Sequence, residues 1–125
     1  MSYFRFEGLE IWRVATEISK KLFDLADMLT EKKKFRFAEQ LYAAAMSMTN
    51  NIAEGSGSFS ALDFANFLKF SRRSVFECAN IVAILHSRQY IELDVKNELF
   101  EELDKLSSMI TNFRKSLIKK NNTTR

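Results

Sequence analysis

Apolar and small side chains return every three or four residues along most of the chain, the spacing that lines one face of an α-helix. Between Leu9 and Leu29 the stripe runs through Ile11, Ala15, Ile18, Leu22 and Leu25. Thr30 to Lys34 is polar and charged and reads as a connection, after which Phe37, Leu41, Ala45, Met48 and Ile52 resume the pattern. Glu54-Gly55-Ser56-Gly57 is expected to end this second helix, because glycine accepts the left-handed conformation that closes a helix. Ser60 with Asp63 reads as an N-cap, a hydroxyl accepting from the first open amides and a carboxylate near the positive end of the dipole. A third stripe then follows through Phe64, Leu68, Ser71, Val75, Cys78, Val82 and Leu85. A turn near Arg88 to Glu92 leads to the cleanest heptad seam, Leu99, Leu103, Leu106, Ile110, Phe113 and Leu117.

The pattern therefore predicts helices over about 9–29, 35–54, 61–87 and 94–119, with a basic C-terminal tail over 120–125. Short connections favour antiparallel neighbours, so the expected fold is all-α, an antiparallel up-down four-helix bundle. The middle helices are apolar or small on a second line as well, at Tyr42, Met46, Thr49 and Ala53 and at Phe67, Phe70, Ile81 and Ile84. Such width implies a thick core or a second face buried against another subunit.

Composition agrees with one domain: 125 residues, 46% hydrophobic, 28% charged, no proline and three glycines. Charges interrupt every apolar stretch well short of the roughly 20 residues of a membrane span. Residues 1–10 lack the order of a secretory signal, which with the lone Cys78 points to a cytoplasmic protein. The net charge of +3 permits an acidic partner without requiring one.

Candidate chemistry is sparse. Glu39, Glu54, Asp63 and Glu77 do not form the Glu-x-x-His pairs of a di-metal bundle, and His86 is the single histidine. Cys78 falls in the apolar seam, where a thiol is inert. No partnered nucleophile, phosphate-cradling glycine loop or metal set appears, so neither enzymatic activity nor a cofactor is expected. Gln40, Ala44, Ser47, Asn51 and Glu54 make a polar stripe beside the apolar one. Asn51 and Glu54 either bond open backbone groups at the helix-two corner or form a recognition or subunit-contact surface. Basic residues gather at Lys32, Lys33, Lys34 and Arg36, at Lys69, Arg72 and Arg73, and at Arg114, Lys115, Lys119, Lys120 and Arg125. These are either solvated helix faces or phosphate contacts.

Several runs resemble a known family. They are Phe6-Glu7-Gly8-Leu9-Glu10-Ile11-Trp12, Gln40-Leu41, Asn51-Ile52-Ala53-Glu54-Gly55, Asp63-Phe64 with Phe67-Leu68, Ser74-Val75-Phe76-Glu77 and Tyr90-Ile91. Together they resemble the four-helix bundle proteins of the S23, or 23S rRNA intervening-sequence, family. The resemblance implies a bacterial, cytoplasmic bundle that forms a ring-shaped homopentamer. Some relatives are encoded inside insertions in 23S rRNA genes, and a related accessory protein of diversity-generating retroelements binds a reverse transcriptase and nucleic acid through a basic surface. Where the family commonly has arginines after Gln-Leu and after the glycine turn, this chain has Tyr42, Ala43 and Ser58, whereas Arg72 and Arg73 add charge on helix three. The expected role is thus a non-enzymatic homo-oligomeric scaffold or accessory factor with RNA or DNA contact through Lys69, Arg72, Arg73, Arg114, Lys115, Lys119 and Lys120. Trp12, Gln40, Asn51, Glu54 and Gly55 form its structural or interface motif, and helices two and three supply subunit contacts. The alternative is an adaptor for a protein partner with no nucleic-acid role.

Overall fold

The computed structural model describes residues 3–123. A short 3₁₀ turn, Arg5–Gly8, leads into α1 (Glu10–Glu31), α2 (Phe35–Ser56), α3 (Ala61–Ser87) and α4 (Leu93–Thr123), with no strand among the described residues. Side-chain contacts establish the antiparallel order. The Ser19 hydroxyl donates to the Ala45 carbonyl while Phe23 meets Tyr42; Ser71 donates to the Met48 carbonyl while Ser74 reaches Ser47. In each pair one residue number rises as the other falls. α4 runs antiparallel to α3 in the same way: Arg114 meets Ala65, while further along α3 Val75, Phe76 and Ala79 share a cavity with Phe100, Leu103, Asp104 and Ser107. Helices adjacent in sequence are thus adjacent in space, and α1 closes the bundle on α4 through the thinnest of the four seams.

The core is the union of the stripes read from the sequence. Leu22, Leu29, Leu41, Met48, Ile52, Phe64, Leu68, Leu85, Leu103, Leu106 and Ile110 are fully buried. Burying a side chain of this size contributes about 1.5–3 kcal/mol, so the seams are the main source of stability. Small residues let the backbones approach: Ala15, Ala44, Ala45 and Ala65 are buried, as are Ser19, Ser71 and Ser74. The buried serines of α1 and α3 satisfy themselves on α2, which turns close approach into specific register.

Helix ends depart from expectation in three places. Neither Gly55 nor Gly57 is left-handed; Gly57 caps α2 at φ −86° and Gly55 lies inside its last turn. The left-handed closures belong to Lys33 and Gln89, both at φ 62°. After each, paired backbone bonds seal the helix: Lys33 N to Thr30 O and Lys34 N to Leu29 O, then Gln89 N to His86 O and Tyr90 N to Leu85 O. This is the double bond of a Schellman closure. Its aromatic partner at the second site is Tyr90, whose ring meets Phe37 at 5.8 Å and ties the α1–α2 and α3–α4 connections together at one end of the bundle. Finally, the tail expected over 120–125 is helical through Thr123, because Lys and Asn after Leu117 continue a helix that no glycine or proline stops. Thr124 and Arg125 lie outside the described residues.

Candidate nucleic-acid interface

Ser60 and Asp63 behave as read from the sequence: the Ser60 hydroxyl accepts from the Asp63 amide at 3.1 Å and sets where α3 begins. From that start, Leu62, Lys69, Arg73 and Phe76 fall on one outer face of α3, spaced by seven, four and three. All four are exposed, as are the flanking Asn66, Phe70 and Arg72. Residues 64–76 contain no Asp or Glu.

The helix beside this face is α4. The Arg114 Nε donates to the Ala65 carbonyl at 3.1 Å, and the Phe64 and Phe113 rings meet at 5.4 Å. That register puts Lys115 and Lys119 toward the start of α3 and leaves Lys69, Arg72 and Arg73 further along it. Lys115 lies 11 residues, three helical turns, beyond Asp104, which borders a cavity of about 140 Å³ between α3 and α4. It therefore sits on the α3 side of α4. Residues 105–123 contain no Asp or Glu either. Two acid-free basic stretches far apart in sequence thus run side by side on one flank of the bundle. Among the described residues, no carboxylate pairs with Lys69, Arg72, Arg73, Lys115 or Lys119; the ion pairs lie on α1 and α4, from Lys20 to Glu17 and from Lys21 to Glu98 and Glu102.

Two of these cations are held over aromatic rings. The Lys69 Nζ lies 5.6 Å from the Phe70 centroid and the Arg72 guanidinium 4.8 Å from that of Phe76. Arg5 covers Phe64 in the same way at 5.1 Å, and with Ser58, Ser60, Lys120 and Asn121 it lines a hollow where α4 ends beside the α2–α3 corner. Phe59 stands fully exposed at that hollow.

Not every predicted residue belongs to this flank in the same sense. Arg114 is half-buried and committed to Ala65, so it acts first as a tie between helices. The cluster Lys32, Lys33, Lys34 and Arg36 sits at the opposite end, about 24 Å along α3 from Arg72 by helical rise. There Lys34 and Arg88 flank the Tyr90 ring, and the hydrogen bond from Arg88 pulls the phenol below its ordinary range while raising Arg88 in turn.

The second apolar line expected on α2 and α3 does not form one buried seam. Ile81 is buried and Phe67 half-buried, but Tyr42, Met46, Phe70 and Ile84 are exposed. The sequence reading missed Arg5, Phe59 and Phe76 as members of the basic flank; the signal for Phe76 was its place four residues after Arg72.

The Asn-Ile-Ala-Glu-Gly element is structural at two of its three singled-out positions. Asn51 Nδ2 donates to the Ser47 carbonyl and lies 3.0 Å from the Ser47 hydroxyl, which Ser74 of α3 meets at 2.8 Å. Gly55 is buried, and a Cβ there would fall 2.7 Å from the Phe67 Cβ and 2.8 Å from Phe64 Cδ1. The glycine is required by close approach of α3, not by turn conformation. Among the described residues the exposed side chains of Glu54 and Gln40 make no hydrogen bond, which corrects the role expected for the Glu54 carboxylate in bonding open backbone groups; it is the Glu54 carbonyl that is engaged there, accepting from the Gly57 amide. Trp12 is half-buried, its ring 5.0 Å from Phe6, and packs the entry turn onto α1.

Burial pushes the Cys78 thiol up to about 12, as expected for an inert seam cysteine. Among the described residues no three His, Cys, Asp or Glu side chains converge as a metal set would, and no helix is long and apolar enough to cross a membrane.

Fold and surface together define a class: a small helical bundle with one basic, aromatic-studded flank. The sequence profile of the 23S rRNA-intervening sequence protein family matches residues 7–112, and the chain belongs to that family. The match reaches well into α4, further than the motifs quoted above. A crystal structure of a protein of unknown function from the S23 ribosomal protein family of Bacteroides thetaiotaomicron VPI-5482 has the same fold, with a TM-score of 0.80 at 19% identity over 84% of this chain and 98% of that one. Comparison with curated proteins gives no match.

Proposed function

We propose that this protein is a non-enzymatic, homo-oligomeric scaffold or accessory factor that contacts RNA or DNA through the α3–α4 flank. The observation that carries the reading is the convergence of two acid-free stretches, which puts Lys69, Arg72, Arg73, Lys115 and Lys119 on one surface without carboxylate partners. A phosphate backbone is the anion that a long row of separate cations suits. Self-association, as a pentamer by family resemblance, is supported by the exposed Tyr42 and Met46 on α2, apolar groups on a different side from the basic flank. Action in a bacterial cytoplasm belongs to the same reading.

The test is a binding titration against structured RNA and duplex DNA at about 50 and 200 mM salt. Five phosphate contacts predict a fall of roughly 500-fold in duplex affinity across that range, and about 12-fold for the Lys69→Ala/Arg72→Ala/Arg73→Ala variant, which retains two. Salt-independent binding, or none, refutes phosphate contact and moves the search to protein partners. Light scattering on the eluting protein checks assembly; a monomer at micromolar concentration refutes the oligomer.

A further inference from the structure

Charge alone does not account for the flank, because large aromatic side chains interleave with the cations and stay in water. Phe70 is 45% and Phe76 55% exposed, with Lys69, Arg72 and Arg73 between and beside them, and Phe59 stands fully exposed at one end. A helix that only had to meet phosphates would gain nothing from exposed phenyl rings, and in water each carries a hydration cost. We infer that this flank binds single-stranded nucleic acid, with bases stacking on Phe70 and Phe76 while the neighbouring cations follow the backbone. The inference rests on the nucleic-acid reading above and makes it specific.

Three features favour a single strand. Each ring keeps a cation on one face, at 5.6 Å for Lys69–Phe70 and 4.8 Å for Arg72–Phe76, so ring and cation form one extended platform for a base. A duplex hides its base faces inside the stack, whereas an unpaired strand presents them, and aromatic rings recognise faces. The dimensions also fit. Phe70 and Phe76 are separated by about 9 Å of helical rise and about 120° around α3, at the two edges of the outer face that carries Lys69 and Arg73, and from Ala61 to Phe76 that face spans roughly 23 Å, room for several nucleotides. Aromatic stacking accepts every base, so the binding is sequence-tolerant. A second copy is a poor occupant: it would bury Lys69, Arg72 and Arg73, and residues 64–76 contain no carboxylate to pair with them.

The experiment is fluorescence anisotropy with labelled single-stranded RNA and DNA of about 12 nucleotides and the matching duplexes at about 50 mM salt. Wild type is compared with Phe70→Ala/Phe76→Ala, with Phe70→Leu/Phe76→Leu and with the triple cation variant. The leucine pair keeps an apolar side chain under the flank, where Phe76 also lines the α3–α4 cavity, so it separates loss of the ring from loss of packing. Circular dichroism and light scattering on every variant control for fold and assembly. A single strand of either sugar is expected to bind tighter than its duplex. Both phenylalanine pairs should lose at least tenfold in single-strand affinity, since stacking contributes about 1–3 kcal/mol per base, with the salt slope unchanged. Equal binding of duplex and single strand, unaffected by either pair but lost in the cation variant, overturns stacking and leaves the phosphate reading standing. Absence of binding to every oligonucleotide overturns both. Unchanged affinity with altered assembly in the phenylalanine variants assigns the rings to a subunit contact and overturns the inference.

Discussion

Gly55→Ala is the sharpest test of how α2 and α3 meet. Carbon atoms in contact sit about 3.5–4.0 Å apart, yet the added methyl would lie 2.7 Å from the Phe67 Cβ and 2.8 Å from Phe64 Cδ1. The Phe64 ring is buried and has little room to turn, and the Phe67 Cβ is fixed to the α3 backbone, so relief requires the two helices to separate by about 1 Å. Overpacking of this kind costs about 1–3 kcal/mol. Replacing glycine in a helix returns at most about 1 kcal/mol, and less in a last turn, so the variant should be destabilised by about 1–2 kcal/mol. For a chain of this length the unfolding entropy is roughly 0.26 kcal/mol per degree, which converts the loss into a melting point lower by about 4–8 °C. Thermal melts followed by far-UV circular dichroism at matched protein concentration measure it. Gly57→Ala is the control: its nearest neighbour would be the Glu54 carbonyl at 3.4 Å and its backbone is already helical, so its melting point should move by less than about 2 °C. A Gly55→Ala protein as stable as wild type, or more so, refutes the close-approach argument and returns this glycine to a turn role.

Two further predictions follow from single contacts. Arg114→Ala removes the bond to the Ala65 carbonyl and should cost about 1–2 kcal/mol in stability, while leaving the salt dependence of nucleic-acid binding nearly unchanged; urea unfolding and the salt titration read the two effects separately. Cys78 should resist thiol reagents in the folded protein at pH 8 and react fully once unfolded, because burial raises its thiol from the ordinary 9.0 to about 12. By linkage, a group whose folded pKa is raised stabilises the fold fully below the unfolded value, so this contribution declines as pH climbs from about 9 toward 12. Stability of Cys78→Ala, measured across that window against wild type, should show less decline.

The four helices and the core were legible in the sequence because helical period is local. A residue's face is fixed by its distance along the chain from its neighbours, and Ile11 to Leu29, Phe64 to Leu85 and Leu99 to Leu117 keep that period without a break. The Ser60–Asp63 cap was legible for the same reason. Helix ends were less so: the left-handed closures at Lys33 and Gln89 come from chain geometry at two tight connections, and nothing in a lysine or glutamine side chain marks it. Gly55 was noticed for its residue type but given the wrong reason, since the ring it makes room for, Phe64, is nine residues on and comes from the next helix.

The candidate surface shows the same division. Lys69, Arg72, Arg73, Arg114, Lys115 and Lys119 were each visible as basic residues, in two separate clusters. That the clusters form one flank depends on the antiparallel register of α3 and α4, set by Arg114 on Ala65 and by interlocking rings at Phe64 and Phe113. The exposure of Phe70 was equally hidden, because its spacing with Phe67, Ile81 and Ile84 suits a second buried seam; only the placement of neighbouring helices, which cover Ile81 but not Phe70, distinguishes the two. Local periodicity specifies what each helix buries, and packing between helices decides what the molecule shows to a partner.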